Sequence, residues 1–130
     1  MTTDLWMLTW SAVLCLVTPY PGITVLISMP GGWAWGVGNR DTPFTVPPWL
    51  ERTRRAHANM VENLIPFACL VLVAHVGGKA NAMTAFASEL FLAARIAYTA
   101  VYMAGIPLLR TLIFAIAVTA DFIILLQILR

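Results

Sequence analysis

The chain has 130 residues, of which 60% are hydrophobic and only 11% are charged, and its formal net charge is +2. Soluble domains carry about 25% charged residues, so a globule of this small size would have too few charges to cover its surface. The composition excludes an ordinary soluble domain, and the lack of a basic patch excludes nucleic acid as a partner. The apolar residues fall into stretches of about 20, the length that crosses a bilayer, which predicts an integral membrane protein.

The first predicted span covers residues 5–29 and is interrupted by Pro19 and Pro21, because proline inside a membrane helix usually kinks it. The N-terminus, MTTD, is acidic, whereas a signal peptide begins with basic residues. We therefore expect the first span to remain in the mature protein. The Gly- and Pro-rich connection that follows, PGGWAWGVGNRDTPFTVPP, predicts a loop.

Three further spans are predicted along the chain. The second covers residues 49–76 after a pair of prolines, the third covers 82–104 after the turn GGKAN, and the fourth covers 107–129 after the break GIP. Proline suits the first position of the fourth helix because its missing N–H would have no partner there. The predicted fold class is all-α: a single membrane domain over residues 1–130, built as a four-helix bundle.

The distribution of basic residues predicts the orientation of these spans. The side of the membrane with more lysine and arginine is usually cytoplasmic. The first and third connections and their borders carry Arg40, Arg52, Arg54, Arg55 and Arg110, whereas the opposite side carries only Lys79 and Arg130. This asymmetry predicts that the first and third connections lie in the cytoplasm and that both termini lie outside.

Polar residues recur on one face of the second predicted helix. At 100° per residue, an arc of about 100° holds Arg52, Arg55, Asn59, Glu62, Asn63 and Pro66. His57 and Arg54 point elsewhere. Charged side chains within a bilayer are costly and by default indicate function. Arginines can bind carboxylates with two parallel hydrogen bonds, and the amides and Glu62 can bind peptide groups or an amine.

The third predicted helix carries a second polar stripe. It consists of Arg95, Tyr98 and Tyr102, at steps of three and four residues, and Arg110 follows at the start of the fourth helix. A tyrosine hydroxyl or a fixed guanidinium can stabilise a thiolate or another developing anion. The two stripes together exceed what helix packing needs, so they predict a binding site.

Other intramembrane polar residues have a simpler interpretation. Polar side chains can merely hold helices together, and we favour this for Asp121, Glu89 and His75. At about 1.5 Å per residue, Arg95 lies roughly 15 Å from the cytoplasmic end of its helix, and we expect Asp121 to lie about as deep. An ion pair between Arg95 and Asp121, with Glu62 near enough to share it, is a second hypothesis.

The two cysteines, Cys15 and Cys69, lie within apolar stretches. They form neither a CxxC pair nor a spacing with histidine that suits a metal. We expect both to be buried, reduced thiols that act as small apolar residues, and we expect no metal cofactor. A thiol-oxidising protein that passes electrons to quinone would need cysteine pairs near the outer surface, so the isolated cysteines argue against that function.

The segments ERTRRAHANMVENLIPF and ARIAYTAVYMAGIPLLR together resemble the MAPEG family, the membrane-associated proteins of eicosanoid and glutathione metabolism. The first contains the motif R-A-H/Q-x-N-x-x-E, and the second contains A-R-x-x-Y-x-x-x-Y at the right distance. The resemblance covers all four predicted spans. The GNRD sequence and the spacing within YMAGIPLLR are most similar to the bacterial branch, which implies a protein of the bacterial inner membrane.

The resemblance implies a homotrimer of four-helix bundles that binds glutathione between neighbouring subunits, near the cytoplasmic face. By motif matching, Arg55, Asn59 and Glu62 would hold the carboxylates and the amine of glutathione. The other glutathione-binding residues implied on the second and third helices are His57, which contacts the peptide across the interface, Arg52 and Arg95.

The resemblance also implies the chemistry. Tyr98 and Tyr102 would line the same pocket, and Arg110 and Tyr102 are the implied catalytic residues, with Arg110 stabilising the thiolate. The expected function is a membrane transferase or peroxidase that uses glutathione as co-substrate against hydrophobic electrophiles or lipid hydroperoxides arriving from the bilayer. One alternative is a non-catalytic glutathione-binding or scaffold member of the family. A small proton-coupled exporter is less favoured, because the first span carries no carboxylate beyond Asp4.

Overall fold

The computed structural model describes all 130 residues and contains six helices and no strand. In chain order the helices are α1 (Thr3–Val17), α2 (Tyr20–Ser28), α3 (Gly32–Val37), α4 (Pro48–Val76), α5 (Ala82–Ala104) and α6 (Pro107–Leu129). The all-helical fold class predicted from the sequence is confirmed.

The first predicted span consists of two helices, α1 and α2, that follow one another directly. Thr18 ends α1, and its hydroxyl donates a hydrogen bond of 2.6 Å to the carbonyl of Leu14. Pro19 then begins the turn into α2. Proline has no N–H to donate to the preceding turn, so the break occurs where the sequence places its first intramembrane proline.

The connection between α2 and α4 was predicted as a loop, and this prediction is wrong for Gly32–Val37, which form α3. This short segment lies between two prolines and contains none itself, so nothing blocks a brief helix. Gly31 enters it with a φ of +76°, in the left-handed region that favours glycine. Beyond α3, the indole N–H of Trp35 donates to the carbonyl of Thr42 at 2.6 Å, and the guanidinium of Arg40 lies 5.3 Å from the Trp35 ring centre.

The ends of the long helices follow from local sequence. Pro48 and Pro107 occupy first-turn positions of α4 and α6, where a missing N–H costs nothing. Asn81 caps α5 in a capping box with Thr84, which satisfies backbone N–H groups that would otherwise lack partners. Gly105, with a φ of +81°, ends α5 and allows the tight turn into α6.

α5 lies at the centre of the bundle and packs against α1, α4 and α6. The core between α4, α5 and α6 is rich in alanine, which lets the helix backbones approach closely. Its two large members, Phe67 of α4 and Phe91 of α5, stack with ring centres 3.8 Å apart. The other core residues are Val71, Ala74, Ala87, Ala94, Ala117, Ala120 and Ile124.

Three segments are long and apolar enough to cross a membrane: Thr3–Ser28, Pro48–Val76 and Pro107–Leu129. α5 has 23 residues, about 35 Å at 1.5 Å per residue, which matches these segments in length. It is not among them because Glu89 and Arg95, both near its middle, lower the hydropathy of its most apolar stretch. Its central position explains the difference, since a helix surrounded by other helices presents less surface to lipid.

The aromatic stack generates a first prediction. We expect Phe91→Ala to lower the free energy of unfolding by about 3 kcal/mol, because the removed ring leaves a cavity that the alanine-rich core cannot fill. Reversible unfolding in mixed micelles of mild and denaturing detergent measures the change. Phe86→Ala on the same helix is the matched control, because Phe91 is 0% exposed and Phe86 is 54% exposed. Equal losses for both variants would contradict the packing described.

Candidate functional site

The polar stripe of α4 has two edges that differ in exposure. Arg52, Asn59 and Asn63 form the inner edge, which borders the buried face of the helix and is half-buried. The side-chain amide of Asn63 donates to the carbonyl of Asn59 at 2.8 Å. The Arg52 Nε donates to the carbonyl of Met103 at 3.0 Å and so ties α4 to the end of α5. The inner edge therefore packs towards α5.

Arg95 is the largest fully buried side chain in the protein. Its Nη2 donates a hydrogen bond of 2.9 Å to the Oδ1 of Asn59, and its Nε lies 3.3 Å from the sulfur of Met60. Its guanidinium also lies 4.7 Å from the ring centre of Tyr98. Because the Asn59 oxygen accepts from Arg95, the NH₂ group of Asn59 remains able to donate elsewhere.

A cavity of about 260 Å³, here called the tyrosine cavity, lies beside Asn59. It is lined by Asn59, Tyr98, Tyr102, Arg110, Thr111 and Phe114. The two tyrosine rings meet edge to face with their centres 5.5 Å apart, and the Arg110 guanidinium lies 4.5 Å from the ring centre of Tyr102. The structure thus brings together four of the residues predicted for the site, from α4, α5 and α6.

The outer edge of the stripe does not line this cavity. Arg55, Glu62 and Pro66 form that edge, and all three are exposed on the single chain. The only ion pair in the chain joins Arg54 to Glu51 at 2.9 Å, so neither Arg55 nor Glu62 has a charged partner. Pro66 lacks an N–H, which leaves the carbonyl of Glu62 without its helical partner.

His57 lies on the other side of α4, as its position on the helix predicts. It lines a second cavity of about 270 Å³, here called the linker cavity, between α2, α4 and the connection that contains α3. Arg40 and Arg54 also line this cavity. The His57 Nε2 lies 3.9 Å from the sulfur of Cys15. Within one chain, His57 and the tyrosine cavity are therefore separated by the buried face of α4.

A model of the MAPEG family matches residues 7–130. The chain belongs to the MAPEG family. With three segments of membrane length and composition, it is an integral membrane protein. It is 38% identical over 58 residues to microsomal glutathione S-transferase 1 of Homo sapiens and 36% identical over 58 residues to that of Sus scrofa. Each match covers 45% of this chain and 37% of the relative, so the similarity spans well under half of either protein.

Two residues of the tyrosine cavity in this MAPEG chain were missed by the sequence analysis. Thr111 follows Arg110 directly, and Phe114 lies one helical turn further along α6. The signal that could have found them is helical spacing, because residues three and four apart share one face. The Phe114 ring lies 6.2 Å from that of Tyr98, so it contributes an apolar wall.

The expected ion pair between Arg95 and Asp121 is absent. Arg95 lies nine residues before Ala104, and Asp121 lies fourteen residues after Pro107. At about 1.5 Å per residue, the two positions are offset by roughly 7 Å along the bundle, so the expectation of equal depth is wrong. Glu89 and His75, expected to hold helices together, are exposed and bond to no other helix of the chain.

The cysteines of the MAPEG chain are both free, but only Cys15 is partly buried. The expectation that both are buried is wrong for Cys69, which is exposed on the single chain. No group of three or more His, Cys, Asp or Glu side chains is placed to hold a metal ion.

The turn at Gly105 positions Arg110, and it generates a second prediction. A Cβ at this glycine would lie 3.2 Å from the guanidinium carbon of Arg52, and an alanine there would be strained at the φ of +81°. We expect Gly105→Ala to lower the free energy of unfolding by about 1–2 kcal/mol, measured by reversible unfolding in mixed micelles. Gly36→Ala is the control, because its Cβ would meet only Leu26, at 4.0 Å. An unchanged free energy of unfolding in Gly105→Ala would contradict the turn geometry.

Proposed function

We propose that this protein is a membrane-embedded glutathione transferase, with peroxidase activity towards lipid hydroperoxides. The observation that carries the proposal is the convergence of Arg110, Tyr102, Tyr98 and Asn59 on one cavity of about 260 Å³, in a chain of the MAPEG family. The similarity to microsomal glutathione S-transferase 1 supports glutathione as the thiol substrate.

Several polar parts of glutathione have a matching group on the polar stripe of α4. Glutathione carries two carboxylates, one amine and two peptide groups. Arg55 can bind a carboxylate and Glu62 can bind the amine, while the NH₂ of Asn59 donates to a peptide carbonyl. Arg55 and Glu62 are exposed and unpaired on the outer edge of α4, so neither must break an existing ion pair to bind the peptide. Arg52 and Arg95 support the site through Met103 and Asn59 rather than through its lining.

A homotrimer is the assembly that we propose for this site. Identical subunits that contact one another head to tail close into a ring when the rotation between them permits it. We propose that α4 forms this contact, so that one side of α4 in each subunit meets the opposite side of α4 in the next. The outer edge with Arg55 and Glu62 would then face the linker cavity and His57 of a neighbouring subunit. This arrangement supports a role for His57 in a shared site, although it lies away from the tyrosine cavity of its own chain.

The chemistry begins with the thiol of glutathione. A free thiol is mostly protonated at neutral pH, and only the thiolate is a good nucleophile. The cation of Arg110, held against the ring of Tyr102, would stabilise the thiolate, and a tyrosine hydroxyl would donate a hydrogen bond to it. In the transferase reaction the sulfur forms a bond to an electrophilic carbon, and the leaving group departs with its electron pair. In the peroxidase reaction two glutathione molecules are oxidised to the disulfide, while the hydroperoxide is reduced to an alcohol and water.

The second substrate would enter from the bilayer. Leu108, Leu112 and Ile116 are exposed along α6 beside the tyrosine cavity, and such a surface suits contact with lipid. Glutathione would enter from the cytoplasm, since the excess of basic residues at the first and third connections favours that side. We place the protein in a bacterial inner membrane on the basis of its GNRD and YMAGIPLLR segments.

The thiolate mechanism generates a third prediction. We expect Arg110→Ala to abolish the ultraviolet absorbance of thiolate that appears when glutathione is added to the purified protein. We also expect kcat to fall by about 100-fold, the usual loss when one stabilising group for a developing anion is removed. Arg130→Ala, at the exposed end of the same helix, is the control and should retain both signals. Unchanged thiolate absorbance in Arg110→Ala would refute the assigned role.

The outer edge of α4 generates a fourth prediction. We expect Glu62→Gln to weaken glutathione binding about tenfold or more, because the variant loses a charge-assisted hydrogen bond to the amine. Titration calorimetry measures the affinity, and Glu89→Gln, which removes an exposed carboxylate from α5, is the matched control. Equal affinities for the two variants would remove Glu62 from the site. Glutathione binding without turnover of any electrophile or hydroperoxide would favour the non-catalytic alternative.

A further inference from the structure

Five buried polar atoms lack a hydrogen-bond partner among protein atoms. They are Asp4 Oδ1, Ser11 Oγ, Ser88 Oγ, Arg95 Nη1 and Asp121 Oδ1. All five lie on α1, α5 and α6, and α5 packs against both of the other helices. An unpaired polar group inside a bilayer costs several kcal/mol. Burying five such groups therefore indicates that some of them bind partners other than protein atoms.

Ser88 and Asp121 lie at about the same level of the bundle, and Arg95 lies further along α5. The side-chain amide of Asn81 donates to Gln127 at 3.2 Å, which ties the start of α5 to the end of α6. Ser88 is seven residues from this tie and Asp121 is six, so both lie about 9–10 Å from it. Arg95 lies seven residues beyond Ser88, two helical turns on the same face of α5.

Arg95 and Asp121 are side chains of opposite charge type, yet they form no direct ion pair. Water can bridge polar groups that do not contact one another directly. A buried water typically makes about three hydrogen bonds to otherwise unpaired polar groups. Arg95 Nη1, Asp121 Oδ1 and Ser88 Oγ supply one donor, one acceptor and one hydroxyl that can do either.

We propose that ordered internal water joins Asp121 to Arg95, and that Asp121 is thereby a positioning residue for the tyrosine cavity. Asp121 holds the Arg95 guanidinium through water, and Arg95 holds the Oδ1 of Asn59 at 2.9 Å. The NH₂ of Asn59 is then fixed towards the cavity that it lines. The positioning role rests on the proposed function, whereas the water bridge does not.

Asp4, the other carboxylate with an unpaired buried oxygen, lies in the first turn of α1, whereas Asp121 lies within the long helix α6 that packs against α5. The groups that contact Arg95 are Asn59 and Met60 of α4 and Tyr98 of its own helix. None of these carries a negative charge at neutral pH. Asp121 is therefore the carboxylate that balances this buried guanidinium, and its removal would loosen the group that orients Asn59.

The first experiment tests the water bridge without glutathione. The free energy of unfolding of the full-length chain is measured in mixed micelles for Asp121→Asn, for Arg95→Met and for the double variant. We expect the double variant to lose less than the sum of the two single losses, because each substitution already breaks the same bridge. Arg95→Lys, which keeps the charge, replaces Arg95→Met if the latter does not fold. Asp121→Asn combined with Glu89→Gln, whose carboxylate is exposed, is the control and should be additive.

The second experiment tests the positioning role. We expect Asp121→Asn to raise KM for glutathione about tenfold and to change kcat much less, since only the orientation of a binding group is lost. Asp121→Glu, which restores a carboxylate, should recover most of the affinity. Adding Asn59→Ala to Asp121→Asn should cause little further loss, because Asp121 acts through Asn59.

The outcomes separate the two ideas. Additive unfolding losses for Asp121 and Arg95 would overturn the water bridge and the positioning role together. Coupled unfolding losses with additive effects of Asp121 and Asn59 on glutathione affinity would overturn the positioning role alone. If the unsubstituted protein binds no glutathione, the proposed function fails, and the unfolding experiment still decides the bridge.

Discussion

A single guanidinium inside the helix bundle organises this structure. Arg95 is fully buried on the central helix and contacts Asn59, Met60 and Tyr98. An arginine at the centre of a bilayer costs about 2.5–3.5 kcal/mol or more unless its surroundings compensate it. Here the amide oxygen of Asn59 and the ring of Tyr98 contact it, and the carboxylate of Asp121 lies on the neighbouring helix α6. Because its partners come from α4 and α5, the contacts of the Arg95 guanidinium also fix how these two helices pack.

The tyrosine cavity is a consequence of that contact. Asn59, which accepts a hydrogen bond from Arg95, lines the cavity, and the two tyrosines continue the helix face on which Arg95 lies. The Gly105 turn then brings Arg110 back over Tyr102. A cation held against a tyrosine beside a buried arginine makes this region of the bundle strongly electropositive. Such a field suits an anion, and it matches the thiolate chemistry proposed for the protein.

The position of the site explains why a membrane protein would keep so many polar groups. A site for a charged peptide needs arginine, carboxylate and amide side chains, whereas a lipid-soluble partner needs access from the bilayer. In the proposed site, the groups that would bind the peptide lie on one edge of α4 and the apolar surface lies on α6, so both demands would be met. The cost of burying Arg52 and Asn59 is limited because they bond to the central helix rather than face lipid.

Much of this arrangement was readable from periodicity and local chemistry. Apolar stretches of membrane length, helix-starting prolines and the glycine at residue 105 located the long helices, and helical spacing grouped Arg95 with Tyr98 and Tyr102. These features depend on residues close in sequence, so the sequence alone determined them. Helical spacing could not tell which edge of the α4 stripe meets α5. It also could not tell that α3 forms or that Asp121 and Arg95 make no direct ion pair. Those outcomes depend on the rotation and axial offset of packed helices, which contacts between residues distant in sequence decide.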